Sequence, residues 1–251
     1  MMNVQLKRDF AASVRKQLDR YPVWEPGALF TLGDYGVLRD KTLKKLGNIQ
    51  AFGITFSKAS GNETLYQFQS KGTKLIEAHA SGSVEPAGLG APLRSSIELR
   101  FDEEHGIFIK AQRSRVIQIS ELRQVALKLR QSGRWDFGWK LVTEVREVNP
   151  ATIIMGSSAG TMLKVEGEAD LLEQFRIGGL KTGTALTFTG EAALQVVGIE
   201  GSIFLDLCYL PGFFGGDIKQ AAAPVEELSE EPYVRLGTQA SIADDEARDD
   251  T

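Results

Sequence analysis

The chain has 251 residues, of which 42% are hydrophobic and 25% charged, and its formal net charge is −4. This length can bury a substantial core in one large domain or two small ones, and the composition excludes fibrous and low-complexity proteins. A single cysteine, Cys208, excludes an internal disulfide framework. One cysteine and two separated histidines also offer no convincing set of metal ligands, so neither a metal nor a cofactor is expected.

The charge is distributed unevenly along the chain. Residues 225–251 hold nine acidic and two basic side chains, a net charge of −7, which leaves +3 on residues 1–224. Apolar periodicity also stops near Gln220, which is typical of a segment that cannot build a core. We therefore expect a body domain at 1–218 and an acidic tail at 219–251, the tail being either disordered or docked as an inhibitory segment.

An amphipathic helix is predicted from about Gln5 to Asp19. Apolar side chains recur every fourth residue along one face: Leu6, Phe10, Val14 and Leu18. Four basic side chains occupy the other faces: Lys7, Arg8, Arg15 and Lys16. This pattern fits a surface helix with solvated cations, and it equally fits a helix whose basic face meets anionic lipid. The start of the chain lacks the apolar core of a signal peptide, so the default expectation is a cytosolic protein.

Two long alternating strands are predicted between Thr73 and Asp102, joined by the breaker-rich stretch 86–92. The apolar positions of the first arm include Ile76, Ala78, Ala80 and Val84, and those of the second are Leu93, Ile97, Leu99 and Phe101. Each arm has about nine or ten residues, which exceeds the usual strand and matches the length that crosses a bilayer. The pair is therefore either part of a large half-buried sheet or a hairpin that enters a membrane.

The rest of the chain alternates in the same way after one further helix. That helix is predicted from about Glu121 to Gln131, and a short helix is also suggested near 169–175. Strands follow from Lys140 to Leu210, mostly separated by glycines. Few helices and many sequential strands predict an α+β fold: a twisted, mostly antiparallel sheet with a basic amphipathic helix first and a second packing helix.

Gly156-Ser157-Ser158-Ala159-Gly160 is the best catalytic candidate, because it fits Gly-x-Ser-x-Gly after an apolar strand. A serine hydrolase using Ser158 would need a histidine base, which in such layouts follows the serine. Both histidines, His79 and His105, precede it, and the residues after Gly160 alternate like a strand. A small-residue turn is the favoured interpretation, so no enzymatic activity is expected.

Three short stretches stand out within this order of elements: Leu-Lys-Lys-Leu-Gly-Asn-Ile at 43–49, Leu-Val-Thr-Glu-Val at 141–145 and Thr-Ala-Leu-Thr-Phe at 184–188. Together with the order of elements, they resemble the pore-forming domain of the gasdermin family in its compact bacterial and fungal forms. The resemblance spans most of residues 5–210. The alternative that stays open is a non-enzymatic β-rich binding protein whose long sheet is its core or an oligomer interface.

The resemblance implies a protein that is cytoplasmic while inactive and forms a homo-oligomeric transmembrane β-barrel at the inner membrane when active, causing cell death as antiphage defence. Hairpins at 73–102 and 139–190 would enter lipid, and the second would contribute Leu141, Val145, Leu163, Val165, Leu186 and Phe188. Lys7, Arg8, Arg15 and Lys16 would bind anionic lipid headgroups. The resemblance also implies a protease that activates the protein by cutting near the tail.

Overall fold

The computed structural model describes residues 4–79, 95–167, 169–180, 186–210 and 234–236. Antiparallel strands dominate these residues, and three α-helices accompany them. The α+β fold predicted from the sequence is therefore confirmed. The chain divides into two compact units, and the strands at 107–119, 140–156 and 192–209 contribute residues to both.

The predicted helices form close to their expected positions. Helix α1 runs over Val4–Leu18, α2 over Leu122–Ser132 and α3 over Ala169–Ile177. Gly133 ends α2 in the left-handed conformation with φ 63°, which a glycine adopts without the steric penalty of a β-carbon. Among the described residues, no helix is both long enough and apolar enough to cross a bilayer.

The strands are short at the N-terminal end of the chain and long at its centre. In chain order they are β1 (Tyr21–Pro22), β2 (Asp34–Arg39), β3 (Thr42–Asn48), β4 (Lys58–Ser60), β5 (Thr64–Gln69), β6 (Thr73–His79), β7 (Ser95–Phe101), β8 (Ile107–Ile119), β9 (Lys140–Gly156), β10 (Thr161–Gly167), β11 (Thr187–Thr189), β12 (Ala192–Tyr209) and β13 (Val234–Leu236).

The unit comprising 18–61, 116–146 and 202–251, here called the second unit, has its own apolar core. In this unit β2 pairs with β3 and β9, while β12 pairs with β1 and β13. Helix α2 buries Leu122, Val125, Ala126 and Leu129 in the core. These four residues form the packing face of α2, which is the second packing helix that the sequence predicts.

Arg20 links two strands of the second unit just after α1. Its guanidinium pairs with Glu144 on β9, at 2.6 Å, and with Asp206 on β12. Burial lowers the pKa of Arg20, but the two carboxylates more than offset this, so its pKa lies above the ordinary value. The arginine thus stays charged and compensates two acidic groups on neighbouring strands.

The unit comprising 1–17, 62–115 and 147–201, here called the first unit, has a separate core. Here β5 pairs antiparallel with β8. The strands β6, β7, β10 and β11 form a four-stranded sheet in the order β11-β10-β7-β6. Both stretches that the sequence predicts as membrane hairpins contribute to this sheet, so it is the candidate functional site.

Candidate functional site

The two predicted hairpins meet through a ladder between β7 and β10. Seven residue pairs form it, from Thr161 opposite Phe101 to Gly167 opposite Ser95. On the far side of β7, β6 pairs over its whole length, from Thr73 opposite Phe101 to His79 opposite Ser95. Strands β6, β7, β10 and β11, two from each predicted hairpin region, are therefore parts of one sheet.

One face of this sheet is apolar and buried. Leu163 lies opposite Leu99, and Val165 lies opposite Ile97, so these four side chains share a face. Phe188 on β11 extends the same row, because it lies opposite Leu163. Leu163, Leu99, Ile97 and Val165 are all at most 3% exposed. With Phe101, which belongs to the same buried cluster, six of the predicted membrane-facing residues therefore form one continuous apolar surface.

Ile76 of the first arm does not lie on that surface. Ile76 lies opposite Glu98, and it is Leu75 that lies opposite Leu99. Because side chains alternate between faces, Ile76 projects to the polar face, where it is 39% exposed. The backbone of Ala78 continues the same pairing, opposite Ser96. Ala80, Val84 and Leu93 lie outside the described residues.

The second hairpin also differs from the prediction. The two neighbours of β10 are β7 and β11, so β10 does not pair with β9, although both strands lie within the predicted hairpin at 139–190. Leu141 and Val145 on β9 are buried in the core of the second unit instead. Within this region β10 instead pairs with β11, and α3 lies between these two strands in the chain. Leu186, just before β11, packs partly buried against the first unit's core.

Helix α3 covers the apolar face of the four-stranded sheet. Leu172 and Phe175 of α3 are buried in the same cluster as Ile97, Leu99 and Leu163. The ring of Phe175 stacks parallel to that of Phe108 on β8, with 5.7 Å between centroids. The sequence indicated only a short helical break here. The spacing of Leu172 and Phe175, three residues apart, was the available sign that this helix has an apolar side.

A glycine lets the end of α3 approach β8 closely. Gly178 has φ +74°, and a β-carbon built on it would lie 2.3 Å from the carbonyl oxygen of Lys110. The hydroxyl of Thr152 donates to the carbonyl of Gly178 at 3.4 Å. A larger residue at 178 would meet both a steric and a conformational penalty.

The opposite face of the sheet is polar and carries ion pairs. Lys74 pairs with Asp102 at 2.6 Å, and Arg100 pairs with Glu98. Lys164 lies opposite Glu98 in the ladder and is exposed. The sheet is thus amphipathic, with a charged face towards solvent and an apolar face beneath α3.

The basic residues of α1 surround its docked face. Phe10, Ala11 and Val14 are buried, which confirms the central part of the predicted apolar stripe. Arg8 and Lys16 are exposed, whereas Lys7 and Arg15 are half-buried. On the same helix, Asp9 lies 3.6 Å from the imidazole of His105 in the turn after β7. The four cations therefore do not form a single exposed row.

Ser158 lies in a turn, as the sequence favoured. Its hydroxyl is 3.4 Å from that of Thr161, and its carbonyl accepts the Thr161 N–H at 3.3 Å. The imidazole of His105 faces Asp9 and Glu104.

Gly156 makes room for Phe101, because a β-carbon at 156 would lie 2.9 Å from the Phe101 ring. The first glycine of the Gly-x-Ser-x-Gly match thus serves packing. In the described part of the chain, no group of three or more His, Cys, Asp or Glu side chains could hold a metal.

Part of the predicted tail lies against the second unit. Strand β13 pairs antiparallel with the end of β12, with Leu236 opposite Leu207, Arg235 opposite Cys208 and Val234 opposite Tyr209. Within 219–251 these three residues are the described ones. The acidic segment therefore contributes at least one strand to the sheet of the body.

Comparison with known proteins places two gasdermins among the structural matches. A bacterial gasdermin from Bradyrhizobium tropiciagri matches with 12% identity and a TM-score of 0.36, over 91% of this chain and 90% of its own. The Gasdermin A3 membrane pore matches with 12% identity and a TM-score of 0.29, over 91% of this chain and 98% of its own. No protein-family model and no curated protein matches the sequence.

The register of the first hairpin can be tested with engineered disulfides in a Cys208→Ser background. Ile76→Cys with Glu98→Cys should form a disulfide under mild oxidation, because these positions lie directly opposite each other. Ile76→Cys with Leu99→Cys is the matched control and should cross-link poorly, since the two side chains project to opposite faces. Mobility on non-reducing gels measures both. Preferential cross-linking of the control pair would contradict the register.

Proposed function

We propose that the chain is a non-enzymatic, membrane pore-forming protein that oligomerises when activated. The observation that carries the proposal is the β7–β10 ladder, which joins two hairpins into one amphipathic sheet. A sheet with one apolar and one charged face has the pattern that a barrel wall requires, with lipid on one side and water on the other. The family resemblance in the sequence points to the same activity.

In the proposed active state the apolar face leaves α3 and faces lipid. Ile97, Leu99, Phe101, Leu163, Val165 and Phe188 then contact acyl chains, while Glu98, Arg100 and Lys164 line the water-filled side. The outer strands of the sheet are β6 and β11. Pairing of β6 in one copy with β11 in the next closes the barrel, which leaves no unpaired strand edge in lipid.

The proposal assigns separate roles to the two ends of the chain. Lys7, Arg8, Arg15 and Lys16 on α1 bind anionic headgroups, and residues 219–251 restrain the body until a protease cuts near them. The pairing of β13 with β12 supports a restraining role, because it gives the tail a defined place on the body. The protein would be cytoplasmic before cleavage and at the inner membrane afterwards, where leakage kills the cell as a defence against phage.

Removing the tail should activate the protein. A chain ending at Gln220 is expected to release dye from anionic liposomes, whereas the full-length chain releases less. Arg235→Pro should also increase leakage in the full-length chain, because proline removes the N–H of a residue paired in the ladder while the acidic tail stays in place. Arg235→Ala, which keeps that N–H, is the control. If no form permeabilises any membrane, the pore proposal fails.

Loosening α3 should activate the protein without cleavage. Gly178→Ala is expected to displace the end of α3 from β8 and to lower the free energy of unfolding by about 2–4 kcal/mol. Liposome leakage by the full-length chain should rise as the apolar face becomes accessible. Urea denaturation and dye release measure the two effects.

Two controls separate this effect from strain and from general instability. Gly53→Ala imposes the same left-handed strain, since its φ is +77°, but no atom lies within 4 Å of the added carbon. Leu129→Ala removes packing from the second unit and should cost about 2–5 kcal/mol. Neither control should increase leakage. A Gly178→Ala protein that is destabilised but leaks no more than the original chain would show that α3 is not the cover.

Reversing the charge of α1 should abolish leakage by the chain ending at Gln220. Replacing Lys7, Arg8, Arg15 and Lys16 by glutamate converts attraction to anionic headgroups into repulsion, each cation near the surface being worth about 1 kcal/mol. The matched control exchanges lysine and arginine at the same four positions, which keeps the charge. Dye release at low and high salt provides the measurement. Leakage that survives the reversal would remove α1 from the mechanism.

A further inference from the structure

A second candidate membrane contact lies in the turn between α2 and β9, within the second unit. The stretch 135–139 reads Trp-Asp-Phe-Gly-Trp, and we call it the aromatic turn. Phe137 at its tip is 50% exposed, although phenylalanine is usually buried. The turn is well ordered by local bonds: the N–H groups of Gly138 and Trp139 both donate to Asp136, at 2.7 and 3.0 Å.

The aromatic turn stands on a stack of rings. Trp139 stacks on Tyr35 with 4.6 Å between centroids, and Trp135 meets the edge of each of these two rings at 5.6 and 5.7 Å. Trp139 also lies parallel to Phe52 at 6.4 Å. This support fixes the position of Phe137, so an apolar tip is held out from the surface at little further cost in side-chain entropy.

A buried donor in the turn lacks an acceptor. Trp135 is only 8% exposed, and its indole N–H has no hydrogen-bond partner among the described residues. An unsatisfied buried donor is unfavourable, and most buried tryptophans find a partner for this group. Because that nitrogen is buried, an acceptor oxygen from outside reaches it only when the turn shifts, and it then gains a hydrogen bond that the resting protein does not make.

The segment that precedes the turn is basic, although Asp136 lies in the turn itself. Residues 122–135 contain four cations and no acidic side chain: Arg123, Lys128, Arg130 and Arg134. Arg123, Lys128 and Arg134 are exposed. Burial lowers the pKa of Arg130 below its ordinary value, which still leaves it charged at neutral pH. An exposed apolar tip, amphipathic indoles and a preceding basic helix together match the interface of an anionic bilayer.

We infer that the aromatic turn is an interfacial anchor for anionic phospholipid, separate from the basic residues of α1. Phe137 enters the acyl boundary, the cations of 122–135 meet headgroup phosphates, and an ester or phosphate oxygen of the lipid accepts the Trp135 N–H. This inference deepens the proposed function and rests on it, since it names a second lipid contact of the same protein. The turn is accessible in the full-length chain, so binding here does not require removal of the tail.

The test is co-flotation of the full-length protein with vesicles of phosphatidylglycerol and phosphatidylethanolamine. Phe137→Asp should weaken binding by about tenfold or more, because it replaces the ring that enters the acyl boundary by a charge. Phe137→Leu, which keeps an apolar tip, should stay within about threefold of the original chain. Trp135→Phe removes the donor together with part of the indole ring and should weaken binding by about threefold. Leu65→Asp, at a 57% exposed leucine on β5 of the first unit, is the control and should bind normally.

The outcomes separate this anchor from the pore. Suppose that the original chain co-floats with vesicles and its truncated form releases dye. If Phe137→Asp then co-floats as well as the original chain, the anchor proposal is wrong and the pore proposal stands. If Phe137→Asp loses binding while no form leaks, the anchor stands and the pore fails. If the original chain ignores the vesicles, the anchor is overturned. A concentration-dependent self-association lost in Phe137→Asp would then assign the turn to contact with a second copy.

Discussion

The antiparallel ladder between β7 and β10 is the constraint on which the rest of the candidate site depends. It brings together stretches that lie about sixty residues apart in the chain, from Ser95–Phe101 to Thr161–Gly167. Once the seven pairs are set, alternation assigns every side chain of both strands to a face. The buried apolar surface and the opposing charged surface follow from that register. The same register explains why a helix must cover the apolar face, because an exposed apolar sheet face of this size would promote association between protein molecules.

Small residues make the sheet and its cover fit. The ring of Phe101 sits against Gly106 and Gly156, where added β-carbons would lie 2.8 and 2.9 Å from its atoms. The N–H of Gly156 donates to the carbonyl of Gly106 at 3.0 Å, so two loops close around one aromatic side chain. Gly178 likewise allows the end of α3 to pack closely against β8. These contacts keep the apolar face covered by α3, which lies between β10 and β11 in the chain. The proposed rearrangement would move this helix away from the sheet.

Much of the architecture could be predicted from periodicity. The apolar residues of α1 and α2 recur with helical spacing, and Ile97, Leu99, Leu163 and Val165 alternate strictly, so burial could follow from local pattern alone. The first arm could not be placed in the same way. Leu75 and Ile76 are adjacent, so each face of this strand carries one large apolar side chain. Alternation alone therefore did not decide which face of the first arm is buried. Pairing with β7 decided it, by placing Leu75 opposite Leu99.

The sequence by itself determined the fold class, the positions of the helices and the amphipathic character of the long strands, because these depend on the spacing of neighbouring residues. Only the tertiary structure decided which strands pair with each other and which core each residue joins. It assigned Leu141 and Val145 to a different core from Leu163, set β11 rather than β9 beside β10, and placed α3 over the apolar face. These choices depend on contacts between residues far apart in the chain, whose free energy arises from burial that no local pattern specifies.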